Sequence, residues 1–238
     1  MQSIIRALYP SQCVACSELT ENENGLCGAC WPGVHFIDGT QCDKCGAPLL
    51  GQGDDTMVHC DDCLRTARPW DKGRSALLYK DVGRRLVLGL KHGDRSDYVP
   101  ALSKWMAAAG RALYANNSLL VPVPLHRFRL FRRKFNQAAE LAKGISKQTG
   151  LDVGSDVLDR HKATASLDRK TKEERFQILQ DAICANPARR TQIEGRSIIL
   201  VDDVITTGAT LAACAEACVR SGAKNVSVLV LARVVKDT

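Results

Sequence analysis

No run of 18 or more apolar residues occurs in the 238-residue chain, so no segment is expected to insert into a membrane as a helix. The sequence has no GxxxxGK[ST] phosphate loop and no GxGxxG dinucleotide fingerprint. Met1 to Pro10 hold one Arg and a short apolar patch but no small-residue cleavage site, which argues against a signal peptide and for the cytoplasm. Large apolar side chains are sparse before residue 70, too sparse for that stretch to build a core of its own. Disorder is nevertheless excluded, because 45% of the whole chain is hydrophobic and 25% charged, an ordinary globular balance.

Cysteine, by contrast, is abundant, with 11 in the chain. In a reducing compartment such a count points to metal rather than to disulfides. Eight of them form four CxxC pairs, Cys13/Cys16, Cys27/Cys30, Cys42/Cys45 and Cys60/Cys63. A CxxC knuckle turns two thiolates to one side, and two knuckles complete a tetrahedral site with no open position. Soft all-sulfur sites suit structural Zn2+, about two ions per chain, with rubredoxin-like iron or an iron–sulfur centre as the alternative. Spacing alone leaves sequential and cross-braced pairing open. His59 reads as a surface residue beside Cys60, and Cys214 and Cys218 as small core residues. Cys184 has no assignment, and Trp31, Trp70 and Trp105 read as packing.

Charge divides where the cysteines do. Residues 1–70 carry four basic and nine acidic side chains, so the net +7 of the chain comes from an excess of base in the remainder. Aliphatic periodicity also begins after Trp70. Two domains are expected, a double zinc-finger module over 1–70 and an α/β body over 71–238, folding as separable units.

In the body, strand-like and helix-like stretches alternate. Ala76 to Tyr79, Ser118 to Val123, Ser197 to Val201 and Val226 to Leu231 read as buried strands. Leu86 to Leu90, Leu102 to Leu113, Phe135 to Gln148 and Ala209 to Arg220 read as helices. The alternation predicts a parallel sheet with flanking helices. Its strongest signal is the run from Ile198 to Thr210, an apolar strand ending at Asp202 and Asp203 and followed by Thr206, Thr207, Gly208, Ala209 and Thr210. A helix starting there offers free amides and a positive dipole end to a phosphate, while paired carboxylates suit vicinal sugar hydroxyls. A phosphate bound beside a ribose is the expectation.

This run resembles the phosphoribosyl pyrophosphate (PRPP) binding motif of type I phosphoribosyltransferases. The resemblance implies that Asp202 and Asp203 bind the ribose 2′ and 3′ hydroxyls and that Thr206 to Thr210 cradle the 5′-phosphate, with Mg2+ accompanying PRPP. Further stretches are similar to the ComF family of competence-associated proteins: Val121-Pro122-Val123-Pro124-Leu125, the arginines after it, Phe135-Asn136-Gln137-Ala138, Leu90-Lys91, Arg160, Thr164 and Arg175. That family carries CxxC zinc fingers ahead of a phosphoribosyltransferase domain, in this order. Membership implies a role in natural transformation, handling incoming single-stranded DNA beside the uptake machinery. Two other roles remain open, true phosphoribosyl transfer to a nitrogen acceptor and sensing of PRPP or a related nucleotide. No general base is visible.

Two basic segments complete the reading. Residues 126–134 hold Arg127, Arg129, Arg132, Arg133 and Lys134 with Phe128 and Phe131 among nine positions. Following a strand end, they suit either pyrophosphate, through forked guanidinium donors, or single-stranded DNA, with a Phe as stacking platform. Arg160 to Arg175 reads as a charged loop, either a hood over the site or a solvated segment.

Overall fold

A computed structural model of the chain describes residues 10–21, 23–51, 57–92, 95–125, 135–161 and 182–235. The calls on Arg127, Arg129, Arg132, Arg133, Lys134, Phe128, Phe131, Thr164 and Arg175 lie outside these residues. The body is a five-stranded, all-parallel sheet in the order β1-β7-β6-β2-β3, built from β1 (Lys72–Leu78), β2 (Ser118–Pro122), β3 (Asp152–Val153), β6 (Ser197–Ile205) and β7 (Asn225–Arg233). A separate antiparallel pair joins β4 (Leu158–Arg160) to β5 (Ile183–Ala185). The helices are a single turn in the Cys-rich head, α1 (Asp61–Arg65), then α2 (Asp81–His92), α3 (Val99–Ala109), α4 (Gln137–Thr149) and α5 (Ala209–Arg220). Among the described residues, no helix is long and apolar enough to cross a membrane.

Both faces of the sheet are covered, which is why its central strands read as unbroken apolar runs. Along β6, Ile198 and Leu200 join a core with α5, while Ile199 and Val201 join a core with α2, α3 and α4. Helix α4 buries the expected stripe of Ala138, Leu141, Ala142 and Ile145; Asn136 caps its start and left-handed Gly150 its end. Several expected elements change length, among them β1, which starts at Lys72, and the helix of Leu86 to Leu90, which runs Asp81–His92. The helical stretch toward Leu113 breaks at Gly110, leaving a separate 3-10 turn over Arg111–Leu113. Strand β6 continues past Val201 to Ile205, because β7 keeps pairing alongside it as far as Arg233.

The head is laid against the body. Around Phe36 it pairs antiparallel with β1: the Ile37 amide donates to Ala76 O at 3.0 Å, and the Leu78 amide to His35 O at 2.8 Å. Farther along β1, the Gly73 amide donates to Asp43 O at 2.6 Å and Ser75 Oγ to Cys45 O at 3.0 Å. A side chain at Gly73 would begin 2.3 Å from Lys44 O, so glycine alone permits this approach. Trp70 Nε1 donates to Lys44 O at 2.6 Å, and Lys44 Nζ to Trp70 O at 2.7 Å. Cys42, Cys45 and Cys63 belong to the α5-side core, whereas Val14 and Val34 belong to the α2-side core.

These shared cores generate a stability prediction. Cys45→Ser should lower the melting of the whole chain by about 3 kcal/mol, on the order of 5–10 °C for a protein of this size. Cys16→Ser, at an exposed ligand position, should leave the main transition nearly unmoved. Calorimetry of both variants checks this. A body transition unchanged by Cys45→Ser would restore two separable folding units.

Candidate functional site

Each half of the head builds one sulfur cluster. In the first turns, the Gly46 amide returns to Cys42 O and the Ser17 amide to Cys13 O, tightening the chain around each leading cysteine. The second cysteine pair of each cluster sits on a helical turn, with the Cys30 amide donating to Cys27 O and the Cys63 amide to Cys60 O. The result is sequential pairing, Cys13, Cys16, Cys27 and Cys30 in one group and Cys42, Cys45, Cys60 and Cys63 in the other, with each group's sulfurs within 4.8 Å of one another. Cross-bracing is excluded, and His59 belongs to neither group. The Cys16–Cys27 and Cys45–Cys60 sulfurs lie 3.6 Å apart. Tetrahedral zinc with Zn–S bonds near 2.3 Å sets its sulfurs about 3.8 Å apart, so the donors fit two closed structural zinc sites.

The sheet order places a second feature. From β2 the chain moves outward to β3, whereas from β6 it moves the other way to β7. The connections diverge between β2 and β6, and at such a switch point a crevice opens beyond the carboxyl ends of the strands. Asp202 and Asp203 stand in the carboxyl-terminal half of β6, and Thr206, Thr207 and Gly208 form the link to α5. Left-handed Gly208 caps the helix (φ 79°), and the first helical bond is donated by Ala212 to Gly208 O, leaving earlier amides without helical acceptors. Thr206 is exposed and Thr207 and Thr210 partly so. Ala209 is buried in the core, so it can contribute only its backbone.

The acids are held, not idle. Lys91 Nζ, at the end of α2, pairs with Asp203 Oδ1 at 3.0 Å, and the Asp203 amide donates to Asp202 Oδ1 at 2.9 Å. Burial, then the charge of Asp203, push the Asp202 carboxyl up to about 7, opposed by Lys91, the Asp203 amide and Arg160. The Arg127–Lys134 segment lies outside the described residues, but its flanks converge. Val123 donates its amide to Val201 O at 2.9 Å, and Asn136 Nδ2 donates to Val123 O at 3.0 Å. Val123 and Asn136 are thus held together at the carboxyl end of β2.

Three residues absent from the sequence reading stand behind the Thr–Gly link. Arg68 Nη1 donates to Thr207 O at 2.5 Å, and Arg233 Nη1 to Thr206 O at 2.6 Å. Asp62 Oδ2, on α1 between Cys60 and Cys63, lies 2.5 Å from Arg68 Nη2 and 3.7 Å from Arg233 Nη2. A Cβ at Gly208 would sit 2.9 Å from Arg68 Nη1. Nothing in the spacing of these residues marks them, since they converge only through the docking of the head. Elsewhere, Cys214 and Cys218 are core residues as expected, while Trp31 is 58% exposed and packs its ring, tilted, on Phe36 at 5.3 Å. Cys184 Sγ on β5 meets His161 Nε2 at 2.6 Å.

Comparison with known proteins agrees with this layout. Residues 4–64 match the double zinc ribbon domain family. The chain is 30% identical over 216 residues to DNA utilization protein YhgH of Escherichia coli (strain K12), covering 88% of this chain and 90% of that protein. It is 28% identical over 228 residues to competence protein F of Haemophilus influenzae, covering 93% and 96% respectively. Competence protein ComFC of Bacillus subtilis is 28% identical over 225 residues, covering 90% and 87%.

The raised carboxyl predicts a pH dependence. Between 3.8, its ordinary value, and about 7, folded Asp202 keeps a proton that the unfolded chain releases, so its contribution to stability falls as pH rises through that window. Asp202→Asn removes this effect. The variant should exceed the unsubstituted protein by on the order of 2–4 kcal/mol at pH 8, the gain shrinking as pH falls toward 4. Urea titrations at both ends of the window measure it, and a gain independent of pH would contradict the buried-acid account.

Proposed function

The chain belongs to the ComF family, and from that premise we propose that its body binds PRPP and that the protein handles incoming single-stranded DNA on the cytoplasmic side during natural transformation. The observation that carries the PRPP reading is the meeting of Asp202 and Asp203 with the Thr206–Thr210 link at the switch-point crevice. The two carboxylates accept from the ribose 2′ and 3′ hydroxyls, and Asp203 is already oriented by Lys91. The amides at the start of α5, of which Ala209 N–H donates to Thr207 Oγ1 at 3.4 Å, and the hydroxyls of Thr206, Thr207 and Thr210 receive the 5′-phosphate. Arg127, Arg129, Arg132, Arg133 and Lys134, which follow β2 in sequence, carry the charge that suits the pyrophosphate. Mg2+ arrives with PRPP and neutralises its pyrophosphate charge.

The DNA reading draws on charge. The body holds the chain's excess of base, and the Arg127–Lys134 segment interleaves it with Phe128 and Phe131. A second basic surface supports it. Arg84, Arg85 and Arg95, with one acid, Asp81, line an open cleft of about 620 Å3 beside the first ribbon, where Arg95 pairs with Asp97 at 2.7 Å and covers the face of buried Tyr98 at 4.3 Å. The names of the relatives, competence and DNA utilization proteins, point the same way. Transfer of the phosphoribosyl group to a nitrogen acceptor is the second reading, favoured by the same pocket.

One titration separates these readings. Calorimetry with PRPP and Mg2+ should register binding to the unsubstituted protein, and Asp202→Asn with Asp203→Asn should weaken it about 100-fold or more, since each lost charge-assisted bond is worth about 1.5–3 kcal/mol. Unchanged affinity in the folded double variant removes the ribose-site assignment. Pyrophosphate release with any base moves the reading to true transfer.

For nucleic acid, fluorescence anisotropy with single-stranded DNA at several salt concentrations should show affinity falling steeply with salt and little dependence on sequence. Arg132→Glu with Arg133→Glu should lower the slope of log K against log salt by roughly 1.4, the share of two phosphates. PRPP should compete. Binding that ignores both the charge reversal and the salt would contradict the proposal.

A further inference from the structure

We propose that Arg68 and Arg233, joined by Asp62 of the second ribbon, are positioning residues that hold the Thr206–Gly208 link in its anion-receiving conformation. Metal occupancy of the Cys42, Cys45, Cys60 and Cys63 cluster is thereby coupled to affinity for the 5′-phosphate. The consequence for affinity rests on the PRPP reading above; the consequence for loop order does not.

The geometry is that of a clamp. In a planar trans peptide, C=O and N–H point in opposite directions. Arg233 holds the carbonyl of Thr206 and Arg68 that of Thr207, both from the protein side. The Thr207 and Gly208 amides, which belong to those same two peptides, are therefore turned away from the guanidinium groups, toward the crevice. A loop whose donors are already aimed needs no reorganisation when the anion arrives. Gly208 completes the fit, because its left-handed backbone passes within a side chain's reach of Arg68 Nη1.

Charge adds to this. Arg68 and Arg233 are only 7% and 5% exposed, and they share one carboxylate, Asp62. Arg68 also hydrogen-bonds Cys63, and Arg233 acts on Cys45, so both guanidinium groups are anchored to the second sulfur cluster as well as to Asp62. Removing Asp62 would leave both guanidinium groups without that partner in a buried place, which is costly.

Asp62 is itself placed by the metal cluster. It lies on α1, five residues long, whose preceding residue is Cys60 and whose third residue is Cys63. A single turn of helix has no stability of its own. Capture of Cys60 and Cys63 by one ion would lock that turn, and with it the carboxylate that both arginines share. The first cluster, on the other core, makes no such contact with the link among the described residues.

The test uses the zinc-loaded full chain, Asp62→Asn, Arg68→Lys and Cys16→Ser, together with protein stripped by a chelator. Hydrogen exchange of the peptide spanning 205–211 reads loop order, ribose 5-phosphate reads the 5′-phosphate site, and calorimetry reads the fold. Asp62→Asn and zinc-stripped protein should speed exchange over 205–211 and weaken ribose 5-phosphate about tenfold or more, the worth of one charged hydrogen bond. Arg68→Lys, which keeps the charge but cannot fork between Asp62 and Thr207 O, should do the same with a smaller change in melting. Cys16→Ser should do neither. A staple that merely holds the ribbon on would lower the melt while leaving exchange over 205–211 and the affinity of the folded fraction unchanged; that outcome overturns the proposal. If Asp62→Asn does not fold, Arg68→Lys decides. If the unsubstituted protein binds no ribose 5-phosphate and no PRPP, the PRPP reading falls, and exchange over 205–211 still decides the clamp.

Discussion

The open edge of the parallel sheet at β1 must be covered, and the stretch that covers it lacks the apolar side chains to fold by itself. Metal-binding knuckles reconcile the two demands. They give the head enough local order to present its backbone to β1, and the sheet supplies the core that the head lacks. Bonds from His35, Ile37, Asp43 and Cys45 run along almost the whole of β1, so the edge is paired rather than left as a template for association. Each ribbon then settles on a different face: Val14 and Val34 on the α2 side, Cys42, Cys45 and Cys63 on the α5 side.

That arrangement reaches the pocket. A crevice at the carboxyl ends of β2 and β6 exists in any sheet with this strand order, but a loop with aimed amides does not follow from strand order alone. Here the loop backs onto two guanidinium groups that the second ribbon neutralises in part through Asp62. On the crevice side the carboxyls of Asp202 and Asp203 crowd each other, relieved by Lys91 and Arg160. Ligand-facing anions and loop-facing cations are thus separated by the thickness of one peptide turn.

Much of this was legible in residue order. The Ile198–Thr210 run reads as strand, acids, turn and helix because β propensity, side-chain chemistry and a left-handed glycine all act locally. The CxxC pairs read as metal ligands because the knuckle is a four-residue affair. Their pairing was not legible, since spacing permits both schemes and only the path between knuckles selects one. The full length of β6 was hidden as well: Asp202 to Ile205 look like loop until Val230 to Arg233 pair beside them. Trp31 does pack, on Phe36, but its exposure was not legible, because an exposed indole on an aromatic neighbour has the same local signature as a buried one.

By itself, the sequence determined the ligand chemistry of the two metal sites, the parallel α/β class of the body, and the acidic-then-threonine motif at one strand end. All of these are read from short local patterns: the CxxC knuckle, the apolar strand and helix periods, and the strand-turn-helix run. Only the tertiary structure decided that the head shares the body's core, that Lys91 pairs with Asp203, and that Arg68 and Arg233 meet behind one loop with Asp62 between them. Arg68 and Thr207 are 139 positions apart. A contact over that separation is set by how the ribbon seats on β1, and no local propensity records it.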